Sequence, residues 1–310
     1  MPPSLHERAQ ACGKVILLGE HAVVHGVPAL AAGLPDALTL TARPLDDPRA
    51  PLELSIPAWG VDLRLDAPTV GSHPVARAAA EVLSHCDGPL TGARVEGATS
   101  LPSGAGLGSS AALTVALARL ALGPDAPAEE LVDASLAGER VFHGAPSGID
   151  SHVAARGGVL RFVRGEAPTR VALGAPLDLL VIPTGVERRT ADLVARVTRN
   201  LEDLPQVARP LLEAIRGASR SGEGALVAGD WALLGRLFDA CHGALCALGV
   251  GHPRLDELCS IARNAGALGA KLTGAGGGGC AVAVAPASPA PVLAALHAAG
   301  SPAFVTRLSP

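Results

Sequence analysis

Residues 101 to 111 read Leu-Pro-Ser-Gly-Ala-Gly-Leu-Gly-Ser-Ser-Ala, and an Ala/Leu-rich run follows to about Leu122. Few backbones satisfy this pattern. Glycine at 104, 106 and 108 lets the chain turn successive N–H groups toward one point. The serines then open a helix whose N-terminus carries unpaired N–H groups and the positive end of its dipole. The segment therefore predicts a phosphate-binding loop feeding a helix. A plain helix cap does not need this density of glycine. The loop is not a Walker A motif, because no Gly-Lys-Ser/Thr occurs in the chain, and its glycine spacing is not that of a dinucleotide fold.

Composition narrows the rest. The chain has 310 residues, 48% hydrophobic and 17% charged, enough for two domains with real cores. Aromatics make up 2%, with no Tyr, so the core must come from Ala, Val, Leu and Ile. Few aromatics and a net charge of −4 argue against a nucleic-acid partner. No uninterrupted apolar run reaches membrane-spanning length, and residues 1–10 lack a secretory layout. The six cysteines are scattered without a C-x-x-C pair, which reads as free thiols in a cytoplasmic protein. Of the 25 Lys and Arg, all but Lys14 and Lys271 are arginine. Both lysines adjoin glycine-rich segments, where a compact ammonium is not interchangeable with a planar fork.

Periodicity predicts an α+β chain. Short strands are expected over 13–18, 38–43, 52–56, 61–65, 92–96, 158–163 and 177–183. Helices are expected over 74–86, 127–142, 190–201, 206–220, 230–248 and 254–267, with another opening near Pro146. The end reads strand, glycine-rich turn, strand (279–285), helix (290–299), strand (303–308). A polar Gly/Pro segment over 164–174 suggests two domains, 1–172 and 173–310.

Two further glycine-rich segments carry candidate chemistry. Gly274–Gly279 formally fits G-x-G-x-x-G, but the following Cys-Ala-Val-Ala-Val-Ala reads as a strand, so a hairpin-like loop is expected instead of NAD binding. Lys14 begins an apolar strand that ends in Gly19-Glu20-His21. Two acids stand near turns, Glu139 and Asp150, with a Pro and two glycines between them. Phosphoryl transfer needs one acid to hold Mg²⁺ and one near the attacking hydroxyl. His21 and His25 sit four apart but lack the Glu and third ligand of a zinc motif. Trp59 and Trp231 read as core residues.

Together, Gly13–Gly26, Pro102–Ala111 and Lys271–Gly279 resemble the three motifs of the GHMP kinases, in the same order. Within them, Gly19-Glu-His-Ala-Val-Val-His-Gly26, His143–Asp150 and Pro183–Thr190 are similar to mevalonate kinases. The resemblance implies a two-lobed fold. The N-terminal lobe would be of ribosomal-protein-S5 domain 2 type and the C-terminal lobe ferredoxin-like. It implies Mg²⁺ as cofactor, ATP and mevalonate as substrates, and a homodimer. It also implies roles. Pro102, Ser103, Gly104, Ala105, Gly106, Leu107, Gly108, Ser109 and Ser110 would wrap the ATP phosphates, with Gly274–Gly279 packed in support. Ser110 and Glu139 would hold the metal. Asp150 would face the substrate hydroxyl with Lys14 beside it. Glu20, His21, Ser147 and Thr190 would line the substrate. Two rival readings remain: another GHMP kinase, with Arg188 and Arg189 meeting a phosphorylated substrate, and a silent metabolite-binding homologue, which should have lost Glu139, Asp150 or the loop serines.

Overall fold

Strand β1 (Arg8–Leu18) alternates exposed and buried residues at its start, and from Gly13 onward every residue is buried. A strand that changes from half-buried to fully buried has passed between two environments. The computed structural model, which describes residues 5–99, 101–102, 104–144, 146–187 and 190–310, divides accordingly. One unit comprises Met1–Lys14, Gly33–Ser103 and Leu107–Gly157; the other comprises Val15–Ala32, Gly104–Gly106 and Gly158–Pro310.

In the first unit, β2 (Ala29–Pro44) pairs with β1, and its residues Leu38–Pro44 pair antiparallel with β5 (Ala93–Thr99). Between them in sequence come β3 (Glu53–Ile56), β4 (Val61–Arg64), α1 (Ala67–Ser72) and α2 (Pro74–His85). β3 runs parallel to β5 and antiparallel to β4. The helices α2, α3 (Ser109–Leu122), α4 (Ala128–His143) and α5 (Ile149–Arg156) pack on one another. Every residue of α3 from Ala111 to Ala118 is buried, as an apolar helix in the middle of a core must be. Leu38, Leu40, Leu54, Ile56, Val82 and Leu117 typify that core, which is aliphatic as the composition requires.

In the second unit, residues Ala29–Ala32 of β2 pair with β6 (Val159–Phe162), which pairs in turn with β7 (Thr169–Val171). There follow β8 (Leu177–Pro183), α6 (Thr190–Asp203), α7 (Pro205–Ala228), α8 (Trp231–Leu245), α9 (Pro253–Asn264), β9 (Gly269–Thr273), β10 (Cys280–Val284), α10 (Ala290–Ala298) and β11 (Phe304–Leu308). The last four strands form an antiparallel sheet in the order β11-β8-β10-β9, the ferredoxin-like arrangement that the resemblance implies.

The open edge of β9 is closed by side chains. The Ala270 N–H donates to Asp239, and Arg263 donates to the Ala270 carbonyl, both at 3.0 Å. The Leu272 N–H donates to His242 Nδ1, and Lys271 donates to the Leu272 carbonyl at 2.6 Å. An edge strand with its polar groups satisfied this way offers no template for further pairing. The stretch Trp231–Val250 is long and apolar enough by composition to cross a membrane, but half of it is buried in the protein, where Leu234, Phe238, Leu245 and Leu248 belong to the core.

Two expectations need correction. The division at 172/173 is not where the chain divides. β6 and β7 belong to the second unit because they extend the start of β2, and Val15–Ala32 joins that unit for the same reason. The segment expected as a linker contains β7. The expected hairpin at the C-terminal glycine loop is present, as β9–β10.

Candidate active site

The loop before α3 takes the conformation its glycines permit: Gly104, Gly106 and Gly108 have φ of 70°, 76° and 77°. Gly108 is the N-cap of α3, so Ser109 and Ser110 form the first turn, where backbone N–H groups have no partner within the helix. Both ends of the loop are pinned within the first unit. Trp59 Nε1 donates to the Leu101 carbonyl at 3.0 Å, and the Lys14 N–H donates to the Leu107 carbonyl at 2.7 Å.

The Lys14 side chain, 9% exposed, forms an ion pair with Asp150 Oδ1 at 3.0 Å. Asp150 lies in the first turn of α5. Glu139, on the last turns of α4, is 2% exposed. Burial, and to a lesser degree the nearby Asp150 carboxylate, push its carboxyl up to about 7, against the Ser110 hydroxyl and the Lys14 charge. Its Oε1 is buried without a hydrogen-bond partner, and its Oε2 lies 3.8 Å from His143 Nε2. His143 in turn lies 3.4 Å from Ser110 Oγ. A buried carboxylate oxygen without a partner, next to a hydroxyl and a second carboxylate, has the hard oxygen donors that suit Mg²⁺. One helical turn away, Thr114, Ser135 and Ser151 form a buried hydroxyl chain at 2.7 and 2.9 Å that joins α3, α4 and α5. These are the three helices that carry Ser110, Glu139 and Asp150.

A second group of residues lies within the second unit. Glu20 is 3% exposed, and its Oε1 is turned inward onto Lys271 Nζ. Burial pushes its carboxyl up, against the pull of Lys271. His21 Nε2 donates to the Ala275 carbonyl at 2.9 Å. The ligand-type cluster His242, Cys246 and Asp256 lies nearby in the sequence, its atoms within 4.8 Å of one another. It is not a good metal site. His242 Nδ1 accepts from the Leu272 N–H, so the neutral ring carries its proton on Nε2, 3.2 Å from Asp256 Oδ1. Burial lowers the pKa of that ring, and burial with Asp256 pushes the Cys246 thiol up to about 12.

Comparison with known proteins identifies the family. The family described as GHMP kinases N terminal domain matches residues 74–158, and GHMP kinases C terminal matches 223–302. The chain is 37% identical to the mevalonate kinase of Thermococcus onnurineus (strain NA1), over 97% of this chain and 96% of that one. It is 36% identical to the mevalonate kinase of Aeropyrum pernix, over 89% of this chain and 87% of that one. The chain belongs to the mevalonate kinase family of GHMP kinases. Among solved structures, L. major mevalonate kinase in complex with R-mevalonate superposes with a TM-score of 0.86 at 28% identity, covering 100% of this chain and 98% of that one.

The structure brings together four of the residues singled out from the sequence, Lys14, Ser110, Glu139 and Asp150. Pro102, Gly104, Ala105, Gly106, Leu107, Gly108 and Ser109 form the loop and the start of α3. Ser103 lies outside the described residues, as do Arg188 and Arg189. Ser147 is exposed in the turn before α5, and Thr190 is exposed at the start of α6. Glu20, expected against the substrate, has its carboxylate buried against Lys271. The C-terminal glycine loop packs within the second unit. A Cβ at Gly276, where φ is 78°, would stand 2.1 Å from the Val250 carbonyl. Sequence reasoning gave no part to His143, Trp59 or the hydroxyl chain. Only the position of His143 in the motif His143–Asp150 could have pointed to it.

Proposed function

We propose that this chain transfers the γ-phosphoryl group of ATP to the C5 hydroxyl of mevalonate, with Asp150 and Lys14 at the reacting hydroxyl. The observation that carries this reading is the Lys14–Asp150 ion pair near a buried, partly unpartnered Glu139, beside Ser110 in the first turn of α3, the helix that the glycine-rich loop opens.

The N–H groups at the start of α3 receive the phosphates. Ser110 and Glu139 would hold Mg²⁺, which when bound neutralises charge on the phosphate oxygens. Asp150 accepts the hydrogen of the substrate hydroxyl and aims its oxygen in line with the γ-phosphorus. As the new O–P bond forms, the bond to the bridging oxygen breaks and ADP leaves with that electron pair. The hydroxyl proton passes to Asp150, during or after attack. Lys14 holds Asp150 in place and faces the charge that develops there. His21, Ser147 and Thr190 contact the remainder of the substrate.

Cys12, Cys86, Cys241, Cys246 and Cys259 carry free thiols, which supports a reducing cytoplasmic location. The homodimer implied by the resemblance would appear in sedimentation equilibrium as twice the chain mass.

ADP release with Mg·ATP, measured separately on mevalonate, phosphomevalonate, galactose and homoserine, tests the substrate. Turnover on mevalonate alone is expected. Turnover on another of the four would keep the ATP loop and overturn the assignment of His21, Ser147 and Thr190.

A further inference from the structure

Lys271, one of only two lysines in the chain, has no part in the chemistry above, yet it is fully buried. Burying an ammonium costs several kcal/mol unless it is paired and hydrogen-bonded. Its Nζ is bonded to Glu20 Oε1, donates to the Leu272 carbonyl at 2.6 Å, and stands 5.7 Å from the centroid of the Phe238 ring. These three contacts hold the ammonium, and through it the Glu20 carboxylate.

Lys271 is the first of three alternate residues that hold the end of β1 and the turn that follows it. Thr273 Oγ1 donates to the Ile16 carbonyl and accepts from the Ile16 N–H, both at 2.9 Å. The Ala275 carbonyl accepts from His21 Nε2. Residues 271, 273 and 275 thus hold residues 20, 16 and 21. The turn they hold is strained. His21 has φ 59° and ψ −41°, outside the regions an L-residue with a side chain ordinarily occupies. Such a backbone persists only where its surroundings over-determine it, and it is typically found where a side chain must be aimed.

We propose that Lys271 is a positioning residue for substrate binding. By holding Glu20 it fixes the strained Glu20–His21 backbone, and so fixes the direction in which the His21 ring meets the substrate. The proposal rests on the reading of His21 as a substrate contact. Lysine suits the place because a compact ammonium fits between a carboxylate, a carbonyl and a ring face, where a planar guanidinium fork does not.

Lys271→Met alone would strand a buried carboxylate and threaten folding, so the test uses the uncharged pair Glu20→Gln/Lys271→Met, which leaves no unpaired charge. It is combined with His21→Ala in a double-mutant cycle, with KM for mevalonate, KM for ATP, kcat and melting temperature measured for each variant. His21→Ala is expected to raise KM for mevalonate about tenfold and to leave KM for ATP within about twofold. The uncharged pair should do the same on its own, and add less than about twofold in the His21→Ala background. The same increase in both backgrounds, or a lowered melting temperature with KM for mevalonate unchanged, would mean that the pair is only structural and would overturn the proposal. An unchanged KM in His21→Ala would instead refute the reading of His21, and the proposal with it.

Discussion

At the scale of single residues, burial holds the Glu139 carboxyl in a state that costs stability once it ionises. Its folded pKa of about 7 lies above the 4.5 of an unperturbed glutamate. The contribution to stability is therefore fully present below pH 4.5 and is lost as pH rises through 7. In metal-free protein, Glu139→Gln should raise the melting temperature at pH 8, corresponding to a gain on the order of 2–3 kcal/mol, and have little effect at pH 5. The same substitution should abolish most turnover with Mg·ATP. A lower melting temperature at pH 8 would contradict the assignment of burial as the cause. Asp150→Asn should keep nucleotide binding, read by fluorescent ATP-analogue titration, and lose roughly 10²–10⁴-fold in kcat. Lys14 and Asp150 were singled out because they stand in segments that resemble those of the GHMP kinases, and the fold places them in an ion pair. The inward turn of Glu20 was not legible in the sequence, because a carboxylate next to a substrate and one next to a buried lysine look alike until the partner 251 residues away is placed.

At the scale of elements, α3, α4 and α5 are aligned by the Thr114–Ser135–Ser151 chain, and no motif announces it. Hydroxyls in apolar helices read from sequence as tolerated polar residues, and only packing reveals that three of them meet. Ser135→Ala breaks the chain in the middle and should cost about 1–3 kcal/mol by chemical denaturation, since two hydroxyls lose a partner in a buried place. Because the break lies one turn from Glu139, kcat should fall as well. The loop before α3 was legible from glycine spacing alone, and so was the β9–β10 hairpin, from the apolar strand that follows Gly279. The start of β2 was not: Ala29–Gly33 carries no alternation, because both its faces are buried. At Gly276 the need for glycine is steric as well as conformational. Gly276→Ala would force a Cβ onto the Val250 carbonyl in a left-handed backbone and should cost more than about 2 kcal/mol in the same measurement.

At the scale of the whole molecule, the division into an N-terminal and a C-terminal part was legible only roughly, because contact and chain order do not coincide. Val15–Ala32 belongs to the second unit, where it supplies partners for β6, Lys271 and Thr273. A fragment covering 158–310 would keep a full ferredoxin-like sheet but leave Lys271 buried without its carboxylate. It should therefore lack a cooperative thermal transition by circular dichroism, and extending it with a tethered 15–32 segment should restore one. The replacement of nearly all lysine by arginine has a practical consequence. The two ε-amines in the chain are held in ion pairs, one 9% and one 0% exposed. Succinimidyl esters and other acylating reagents should thus leave the side chains of the native protein almost untouched. Uptake of two acyl groups per chain beyond any on the α-amine, counted by intact mass, would then report how much of a sample has come apart, with no label engineered into the protein.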